Sequence, residues 1–348
     1  MGFSKFLKFL RLKLRRRRVA ERVAAVDFNG EEDDHNMDWC EQQRSKGGAR
    51  LTLRMFSWEE IQKLTMNFSI VIGYGGFSTV YLAKLSDSSM AAAKIQFRCS
   101  QRLNEAYEKE LEILLRINHP YIVKLIGYCD EDREEGTLIL EHVANGNLHE
   151  RLHGSNSSSI LSWRGRMAIA FQLADAIDYL HKNSIVHCDI KASNILLDEH
   201  LNCKLCDFGS SKMGFSSLVV PSSSRAMMLG SPGYTDPHYL RTGLTSKKSD
   251  VYSFGVILLE LICGMEALDP LSGSRLTKKA EHVLRGAEKV VEIADPRLRS
   301  GGDFDMEEAK AMADVAAMCL SDSPAHRPSL SEVLTTMRKK VSSISYLF

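Results

Sequence analysis

Polar side chains of three chemical types follow one another in the segment HCDIKASNILLD, residues 187–198. Asp189 can accept the proton of an attacking hydroxyl group and orient that group. Lys191, two residues later, can balance negative charge on a transferred group. Asn194 offers a side-chain oxygen of the kind that Mg²⁺ prefers. The spacing therefore predicts a loop that combines a proton acceptor, a cation and a metal ligand.

A second set of charged side chains lies beside apolar runs elsewhere in the chain. Asp207, in CDFGS, supplies an anionic oxygen ligand that can bridge Mg²⁺ to phosphate groups. Lys94 follows the apolar residues of MAAAK, and Glu110 lies in a segment with helical spacing, residues 104–117. We expect Glu110 to pair with Lys94 and to hold its ammonium group against the phosphates of a nucleotide. Taken singly, Lys94 is equally typical of a side chain that reaches the surface along its apolar stem.

A glycine-dense turn lies between two runs of alternating hydrophobicity in VIGYGGFSTVYLAKL, residues 71–85, and contains Gly73, Gly75 and Gly76. Glycine lets backbone N–H groups approach a phosphate without obstruction from a Cβ atom. Strands on both sides of the turn argue against a Rossmann fold, which needs a strand-to-helix turn. Phosphoryl transfer requires mainly positioning and the neutralisation of negative charge, so the glycines and the charged side chains together favour this chemistry.

The elements that must position these residues change character near the middle of the chain. Residues 56–142 have the pattern of strands with one helix, residues 143–341 are mostly helical, and residues 342–348 form a short tail. This order predicts an α+β, two-lobed fold, with a small antiparallel sheet and one helix in the N-terminal lobe and a larger, mainly helical C-terminal lobe. The most apolar run, residues 251–264, contains Glu260 and is too short to span a bilayer, so it predicts a buried helix.

Positive charge is concentrated at the N-terminus. Residues 1–18 contain eight Lys and Arg and no acid, which leaves a formal charge of −7 for the rest of a chain whose net charge is +1. Apolar residues follow one helical stripe there, formed by Phe3, Phe6, Leu7, Leu10 and Leu14. The segment suits reversible binding to anionic lipid at a membrane surface, and RLKLRRRR is equally typical of a nuclear address. Residues 19–55 form an acidic, flexible linker in this interpretation.

The eight cysteines are scattered along the chain and do not resemble a disulfide framework. Cys203 and Cys206 form a C-x-x-C pattern, but it has no second pair and no nearby histidine cluster. We therefore interpret them as two ordinary thiols on a strand rather than as a zinc site. A reducing, intracellular compartment fits this usage best.

Residues 56–340 resemble a eukaryotic protein kinase and, more narrowly, the receptor-like kinases of plants. The segments that carry the resemblance are, in order, FSWEEIQKLTMNFS, IGYGGFSTVY, INHPYIVKLIGYC, ANGNLHERLHG, LSWRGRMAIAFQLADAIDYLH, HCDIKASN, CDFGS, GSPGYTDPHY, KSDVYSFGVILLEL and HRPSLSEV. Because the sequence has neither an ectodomain nor a spanning helix, the chain is most similar to the receptor-like cytoplasmic kinases.

The resemblance implies an ATP- and Mg²⁺-dependent kinase that transfers the γ-phosphate to Ser or Thr hydroxyls of a protein substrate in receptor-linked signalling. It implies that Asp189 and Lys191 are catalytic and that Asn194 and Asp207 hold the metal. The nucleotide is expected to contact Ile72, Gly73, Gly75, Gly76, Val80, Lys94, Glu110, Glu141 and Val143. Leu140 is expected to lie behind the nucleotide, and Asp250 is expected to brace the backbone of the catalytic loop. Ser231 is expected to line the site just beyond the acceptor hydroxyl.

The resemblance also implies partners and a location. A membrane receptor complex and, through residues 1–18, anionic lipid are the expected contacts besides ATP and the protein substrate. The expected location is the cytoplasm, with a peripheral position at the plasma membrane, and the nucleus is the alternative. No nucleic-acid partner is expected, because the body of the chain is net acidic and has no interleaved basic and aromatic surface.

Four departures from the family pattern bear on activity. Ser78 replaces the third glycine of the turn, and AAAK replaces a more branched sequence before Lys94, so both predict weakened nucleotide binding. Cys188 replaces an Arg that in many kinases pairs with a phosphate on the activation loop. Activity is therefore expected not to depend on loop phosphorylation through Cys188. A redox role for this thiol is the alternative to a plain small side chain.

The fourth departure is His238, in TDPHY, where the family has a Glu that pairs with an Arg matching Arg327. A histidine cannot form that ion pair, so the C-terminal lobe is expected either to be less stable or to use a different partner. Ser78 and His238 keep a second functional hypothesis open, a catalytically inactive binding scaffold. The retention of Lys94, Asp189 and both predicted metal ligands favours the enzyme.

Overall fold

The computed structural model describes residues 53–131, 134–154, 160–214, 230–286, 289–299, 302 and 304–347. These residues divide into two compact units. The first unit contains the described residues up to Tyr107, Leu114–Arg116 and Leu125–Glu141, and the second contains Glu108–Ile113, Ile117–Lys124 and the described residues from His142 onward. The predicted basic segment at residues 1–18 and most of the predicted linker lie outside the described residues.

A six-stranded sheet forms the first unit. Its strands are β1 (Arg54–Met55), β2 (Val71–Tyr74), β3 (Ser78–Lys84), β4 (Met90–Phe97), β5 (Leu125–Cys129) and β6 (Glu135–Glu141). Its helices are α1 (Trp58–Leu64) and both ends of α2 (Gln101–Arg116), whose middle residues, Glu108–Ile113, belong to the second unit. The strand order is β1-β5-β6-β4-β3-β2, and neighbours are antiparallel except β1 and β5. The predicted α+β class is confirmed, while α1 and the parallel strand β1 add to the elements that the sequence predicted.

Strand β1 lies close against β5 at the edge of the sheet. Arg54 pairs with Gly127 and Met55 with Tyr128. The next residue, Phe56, continues the pairing by donating its N–H to the carbonyl of Tyr128 at 2.9 Å. A Cβ atom at Gly127 would lie 2.1 Å from the carbonyl oxygen of Arg54, so only glycine permits this approach.

Helix α1 begins with a capping box that is visible in the sequence as SWEE. The hydroxyl of Ser57 accepts the N–H of Glu60 at 3.1 Å, and the carboxylate of Glu60 accepts the N–H of Ser57 at 2.8 Å. Both bonds satisfy N–H groups that have no partner inside a helix. The cap therefore fixes where the helix starts and directs the fully buried Ile61 into the unit.

The inner side of α1 covers a patch of small side chains on the sheet. Phe56 and Ile61 form one buried apolar cluster with Ala83, Ala91 and Ala93. Because side chains alternate along a strand, Ala91 and Ala93 lie on the opposite face of β4 from Lys94. The small size of Ala91 and Ala93 therefore makes room for α1. Ala92 lies on the same face of β4 as Lys94, so the expected weakening of nucleotide binding stays a prediction for that residue.

Helices dominate the second unit. Its helices are α3 (Leu148–His153), α4 (Trp163–Lys182), α5 (Pro237–Thr242), α6 (Lys247–Cys263), α7 (Leu276–Lys279), α8 (Glu281–Leu284), α9 (Val290–Ile293), α10 (Pro296–Arg299), α11 (Met306–Cys319) and α12 (Leu330–Lys340). Its strands are β7 (Ile185–Val186), β8 (Ile195–Leu197), β9 (Cys203–Leu205) and β10 (Lys212–Met213), and 3₁₀ helices span Ala192–Asn194, Pro324–His326 and Ser342–Leu347. Strand β7 pairs with β10 and β8 with β9, both antiparallel.

Helix α6 contains the apolar run that the sequence predicted as a buried helix. Almost every residue from Asp250 to Cys263 is buried, and the carboxyl-bearing side chain of Glu260 is fully enclosed. The helix ends at Gly264, whose φ of 65° is the left-handed conformation that glycine adopts without strain. Among the described residues, no helix has both the length and the apolar character needed to cross a membrane.

Arg327 has a different partner from the one that the family pattern implies. Its guanidinium group, almost fully buried, donates to both carboxylate oxygens of Asp236 at 2.7 and 2.8 Å. Asp236 lies two residues before His238 and also caps α5 by accepting the N–H of His238 at 2.8 Å. Of the two expected consequences of His238, the structure has the second, a substitute ion pair with parallel hydrogen bonds.

Candidate active site

A buried carboxylate braces the loop that follows β7. Asp250, in the first turn of α6, accepts the backbone N–H of His187 at 2.8 Å and that of Cys188 at 2.9 Å. His181, near the end of α4, also contacts this carboxylate, with 3.0 Å between its Nε2 and Oδ2. Cys188 has a φ of 69°, a left-handed conformation that is costly for most residues with a side chain. The bonds to Asp250 therefore hold the loop in a conformation that it would not adopt alone.

Three polar side chains form a closed triangle at the loop. The ammonium group of Lys191 donates to Asp189 Oδ2 at 2.8 Å and to Ser231 Oγ at 2.9 Å. The hydroxyl of Ser231 in turn donates to Asp189 Oδ1 at 2.8 Å. The carboxylate of Asp189 is thus oriented so that it accepts the proton of a hydroxyl group beside a lysine cation. This is the arrangement that a proton acceptor for an attacking Ser or Thr requires.

Asn194 is oriented by the same loop. Its Nδ2 donates to the backbone carbonyl of Asp189 at 2.9 Å and to Oδ2 of Asp189 at 3.3 Å. Both acceptors lack a proton to donate, so the amide must turn its NH₂ group toward them and its Oδ1 away. The side chain is buried and therefore holds Oδ1 in a defined direction.

The hairpin of β8 and β9 brings the second predicted metal ligand next to Asn194. Ile195 pairs with Leu205, and the ladder continues as the N–H of Cys206 donates to the carbonyl of Asn194 at 3.0 Å. Asp207 follows directly and has a φ of 68°, a conformation that Asp tolerates better than most residues. An amide oxygen and a carboxylate are hard ligands that fit Mg²⁺, which commonly takes its other ligands from water and phosphate.

Strand pairing in the first unit brings three other predicted residues together. Lys94, which is buried, pairs with Val80, and Val80 pairs with Gly73 on the next strand. Directly paired residues share one face of a sheet, so the three side-chain positions are neighbours. A Cβ atom at Gly73 would lie 3.6 Å from the Cβ of Val80, in ordinary contact.

The glycine turn between β2 and β3 is closed by Ser78. The N–H of Gly75 donates to the carbonyl of Ser78 at 2.8 Å, and a Cβ atom at Gly75 would lie 2.4 Å from Ser78 Oγ. At Gly76 a Cβ atom would have no neighbour within 4 Å. The serine therefore crowds one side of the turn while the tip remains open.

The remaining predicted residues lie on separate elements. Ile72 is exposed on β2, Glu141 is half-buried at the end of β6, and Val143 is half-buried two residues later. Glu110 is almost fully buried on α2, with 1% of its surface exposed. Ile113, three residues later on the same helix, is also buried.

Sequence reasoning missed His181. Its contact with Asp250 adds a third partner to the carboxylate that fixes the loop, which is why its position matters. In the sequence, His181 is marked only by its place in YLH, near the end of a long helical pattern. That pattern does not indicate a function, because many buried histidines are structural. Ser231 was identified only through the family resemblance, whereas the structure gives its bonds to both catalytic candidates.

The thiol of Cys188 is poorly suited to redox chemistry. It donates to the carbonyl of Val186 at 3.5 Å, and burial, together with the negative charge of Asp250, raises its pKa well above the usual value. A thiol with a raised pKa stays protonated at neutral and mildly alkaline pH, and only the thiolate is an effective nucleophile. The observations favour the plain small side chain over the redox role.

We expect Cys188 to resist alkylation by iodoacetamide in the folded chain at pH 8, since its thiol stays protonated there. Cys99 is exposed and serves as the internal control that should react. Mass spectrometry of peptides after a timed reaction measures both sites in one sample. Alkylation of Cys188 as fast as that of Cys99 would restore the redox interpretation.

Known proteins resemble this chain over most of its length. A family model described as the protein kinase domain matches residues 66–337. The chain is 48% identical to salt tolerance receptor-like cytoplasmic kinase 1 of Oryza sativa, over 86% of this chain and 84% of that protein. It is 47% identical to a probable receptor-like protein kinase of Arabidopsis thaliana, over 84% of this chain and 89% of that protein. A probable leucine-rich repeat receptor-like serine/threonine-protein kinase of Arabidopsis thaliana is 37% identical over 83% of this chain, which spans 33% of that relative.

Proposed function

The chain belongs to the protein kinase family as a serine/threonine-protein kinase, and from this premise we propose that Asp189, Lys191, Asn194 and Asp207 carry its phosphoryl transfer. The observation that supports this proposal most strongly is the triangle of Asp189, Lys191 and Ser231. In this triangle the hydroxyl of Ser231 donates a hydrogen bond to the carboxylate of Asp189, next to the ammonium group of Lys191.

Asp189 acts as the proton acceptor in this proposal. It orients the hydroxyl of a Ser or Thr side chain toward the γ-phosphate and takes its proton as the new bond forms. Lys191 holds the carboxylate in place through its ammonium group and offsets negative charge on the transferred group. Asp250 maintains the backbone of the loop on which both residues lie.

Asn194 and Asp207 would hold Mg²⁺ through Oδ1 and the carboxylate, respectively. The ion, when bound, neutralises charge on the phosphates of ATP. The chain's contribution is to keep the two oxygen ligands at adjacent positions of the β8–β9 hairpin, and the bond between Cys206 N and the carbonyl of Asn194 supports that role.

The nucleotide phosphates would be held by the glycine turn and by Lys94, with Glu110 orienting the lysine. Ile72, Val80, Glu141 and Val143 would contact the rest of the nucleotide. The cross-strand alignment of Gly73, Val80 and Lys94 supports this assignment. We expect Ser78 to stiffen the turn, since its side chain already crowds Gly75.

We further propose a cytoplasmic kinase that acts next to a membrane receptor complex, with residues 1–18 binding anionic lipid. The names of the relatives, a receptor-like cytoplasmic kinase and receptor-like protein kinases, support this setting. A reporter fusion that lacks residues 1–18 tests the lipid contact: unchanged localisation would contradict it, and loss of nuclear signal would favour the nuclear alternative.

The catalytic proposal is tested by transfer of radiolabelled phosphate from Mg²⁺-ATP to a generic Ser/Thr protein substrate. Wild type is compared with Asp207→Asn, which removes an anionic metal ligand, and with Lys94→Met, which removes the cation at the phosphates. We expect incorporation by wild type and background levels in both variants. Equal background in all three proteins would favour the binding scaffold instead.

A further inference from the structure

Arg98, the residue that follows β4, carries a buried guanidinium group that no proposed catalytic role uses. The residue is 6% exposed. Its Nε and Nη2 donate to Asn104 Oδ1 at 2.8 and 2.6 Å, and its Nη1 forms an ion pair with Asp130. The central carbon of the group, Cζ, also lies over the ring of Tyr107, 4.8 Å from its centroid.

These partners come from two different parts of the chain. Asn104 and Tyr107 belong to the first two turns of α2, and Asp130 follows β5 directly. The backbone adds a further tie, because the N–H of Arg98 donates to the carbonyl of Glu134, just before β6, at 2.6 Å. One residue therefore joins the start of α2 to the ends of three strands.

Tyr107 reinforces the same junction. Its ring is fully buried, and its hydroxyl donates to the carbonyl of Cys129 at 3.3 Å. A Cβ atom at Gly136 would lie 2.6 Å from this ring, so the helix is packed as closely as the backbone of β6 permits. The first turns of α2 are thus fixed in both rotation and distance relative to the sheet.

We propose that Arg98 is a positioning residue that clamps α2 to β4 and so determines where the helix holds Glu110. Glu110 lies three residues after Tyr107, less than one helical turn, and Lys94 lies four residues before Arg98 on β4. The inference rests on the proposed roles of Lys94 and Glu110, whose pairing requires the helix in one place. The clamp consists of Arg98, Asn104, Tyr107 and Asp130.

Lysine is a poor substitute at this position. The planar guanidinium group reaches two acceptors in different directions and lies over an aromatic ring, whereas an ammonium group is a compact point charge. A single ammonium group cannot reproduce the bonds to Asn104 and the ion pair with Asp130 together, so one of the two connections is weakened. Arg98→Lys therefore loosens the clamp while keeping the charge.

The test compares steady-state kinetics of Arg98→Lys with those of the full-length wild type. We expect kcat to fall about tenfold, with a smaller change in KM for ATP, because a displaced Glu110 weakens the transition state more than the bound substrate. Arg54→Lys is the matched control, since Arg54 also pairs with a carboxylate, that of Glu60, and lies over the ring of Phe56, but is exposed. Its kcat should equal that of wild type.

A double-mutant cycle separates positioning from general destabilisation. If Arg98 acts through Glu110, adding Arg98→Lys to Glu110→Gln lowers kcat by less than about twofold further. Additive losses in the cycle would overturn the proposal. Rescue is expected in Arg98→Lys/Asn104→Asp, because the new carboxylate on α2 gives the ammonium group a charged partner.

A measurement without activity keeps the clamp separate from the proposed function. Hydrogen exchange of the backbone amides in α2 should be at least about tenfold faster in Arg98→Lys than in wild type, with α11 unchanged as the reference. Unchanged exchange in α2 would overturn the clamp whatever the kinetics. An inactive wild type would refute the proposed function and the positioning role together, and the exchange result would still decide whether Arg98 holds the helix.

Discussion

Asp189→Asn is expected to lower kcat about 10²–10⁴-fold, the range typical for loss of a positioned proton acceptor. An asparagine amide cannot take the hydroxyl proton, and it no longer carries the charge that binds the ammonium group of Lys191 at 2.8 Å. KM for ATP should change little, because Asp189 is not among the residues proposed to hold the nucleotide or the metal. Initial rates at varied ATP, with a saturating protein substrate, measure both parameters.

Asp198→Asn is the matched control for that variant. Asp198 lies in the turn after β8 and accepts the N–H groups of His200 and Asn202, both at 2.8 Å. An asparagine keeps an oxygen for these bonds, so kcat should stay within about twofold of wild type. If Asp189→Asn kept a third or more of the wild-type kcat, Asp189 would not be the proton acceptor.

Asp236→Ala is expected to lower the free energy of unfolding by about 3–5 kcal/mol. The change leaves the guanidinium group of Arg327 buried without its carboxylate, and both side chains are almost fully enclosed. It also removes the cap of α5, which contributes about 1 kcal/mol of its own. Urea denaturation followed by tryptophan fluorescence measures the loss as a lower midpoint.

Two further variants isolate the ion pair from the cap. His238→Ala should cost about 1 kcal/mol or less, because His238 supplies only its backbone N–H to this network. Asp236→Asn removes the charge but keeps an oxygen for the cap. Adding His238→Glu to Asp236→Asn restores the pairing that the family pattern implies, and we expect part of the loss to be recovered. A tolerated Asp236→Ala would show that Arg327 has another sufficient partner.

Spacing alone was sufficient to predict that the candidate residues of the loop after β7 lie close together. Asp189, Lys191 and Asn194 fall within six positions of one another, so the sequence already limits how far apart they can be. The strands around the glycine turn were predictable for a similar reason, because alternation of apolar side chains is a local signal. The resemblance to kinases added assignments such as Ser231, which lies forty residues from Lys191 and which no local pattern connects to it.

Long-range partners were the part that the sequence could not supply. Arg327 and Asp236 are 91 positions apart, and the choice of Asp236 over other acids depends on how α5 and α6 pack. The contact of Ala91 and Ala93 with α1 was missed for a related reason, because nothing in AAAK indicates that a helix covers one face of the strand. The capping box at Ser57 and Glu60 differs from these long-range contacts, because its two residues are three positions apart and the pattern SWEE by itself indicates where α1 starts.

Because α1 packs on β4, the sizes of side chains in the helix and in the strand depend on each other, although the two segments are distant in sequence. Ala91 and Ala93 can stay small only because Phe56 and Ile61 fill the space above them. Adding methyl groups to the strand would push the helix outward, and trimming the helix would leave a void above the strand. Substitutions in the helix and in the strand are therefore expected to be tolerated in compensating pairs. A fragment that starts after residue 66 would lack α1, and the face of the sheet that carries Ala91 and Ala93 would be exposed to water.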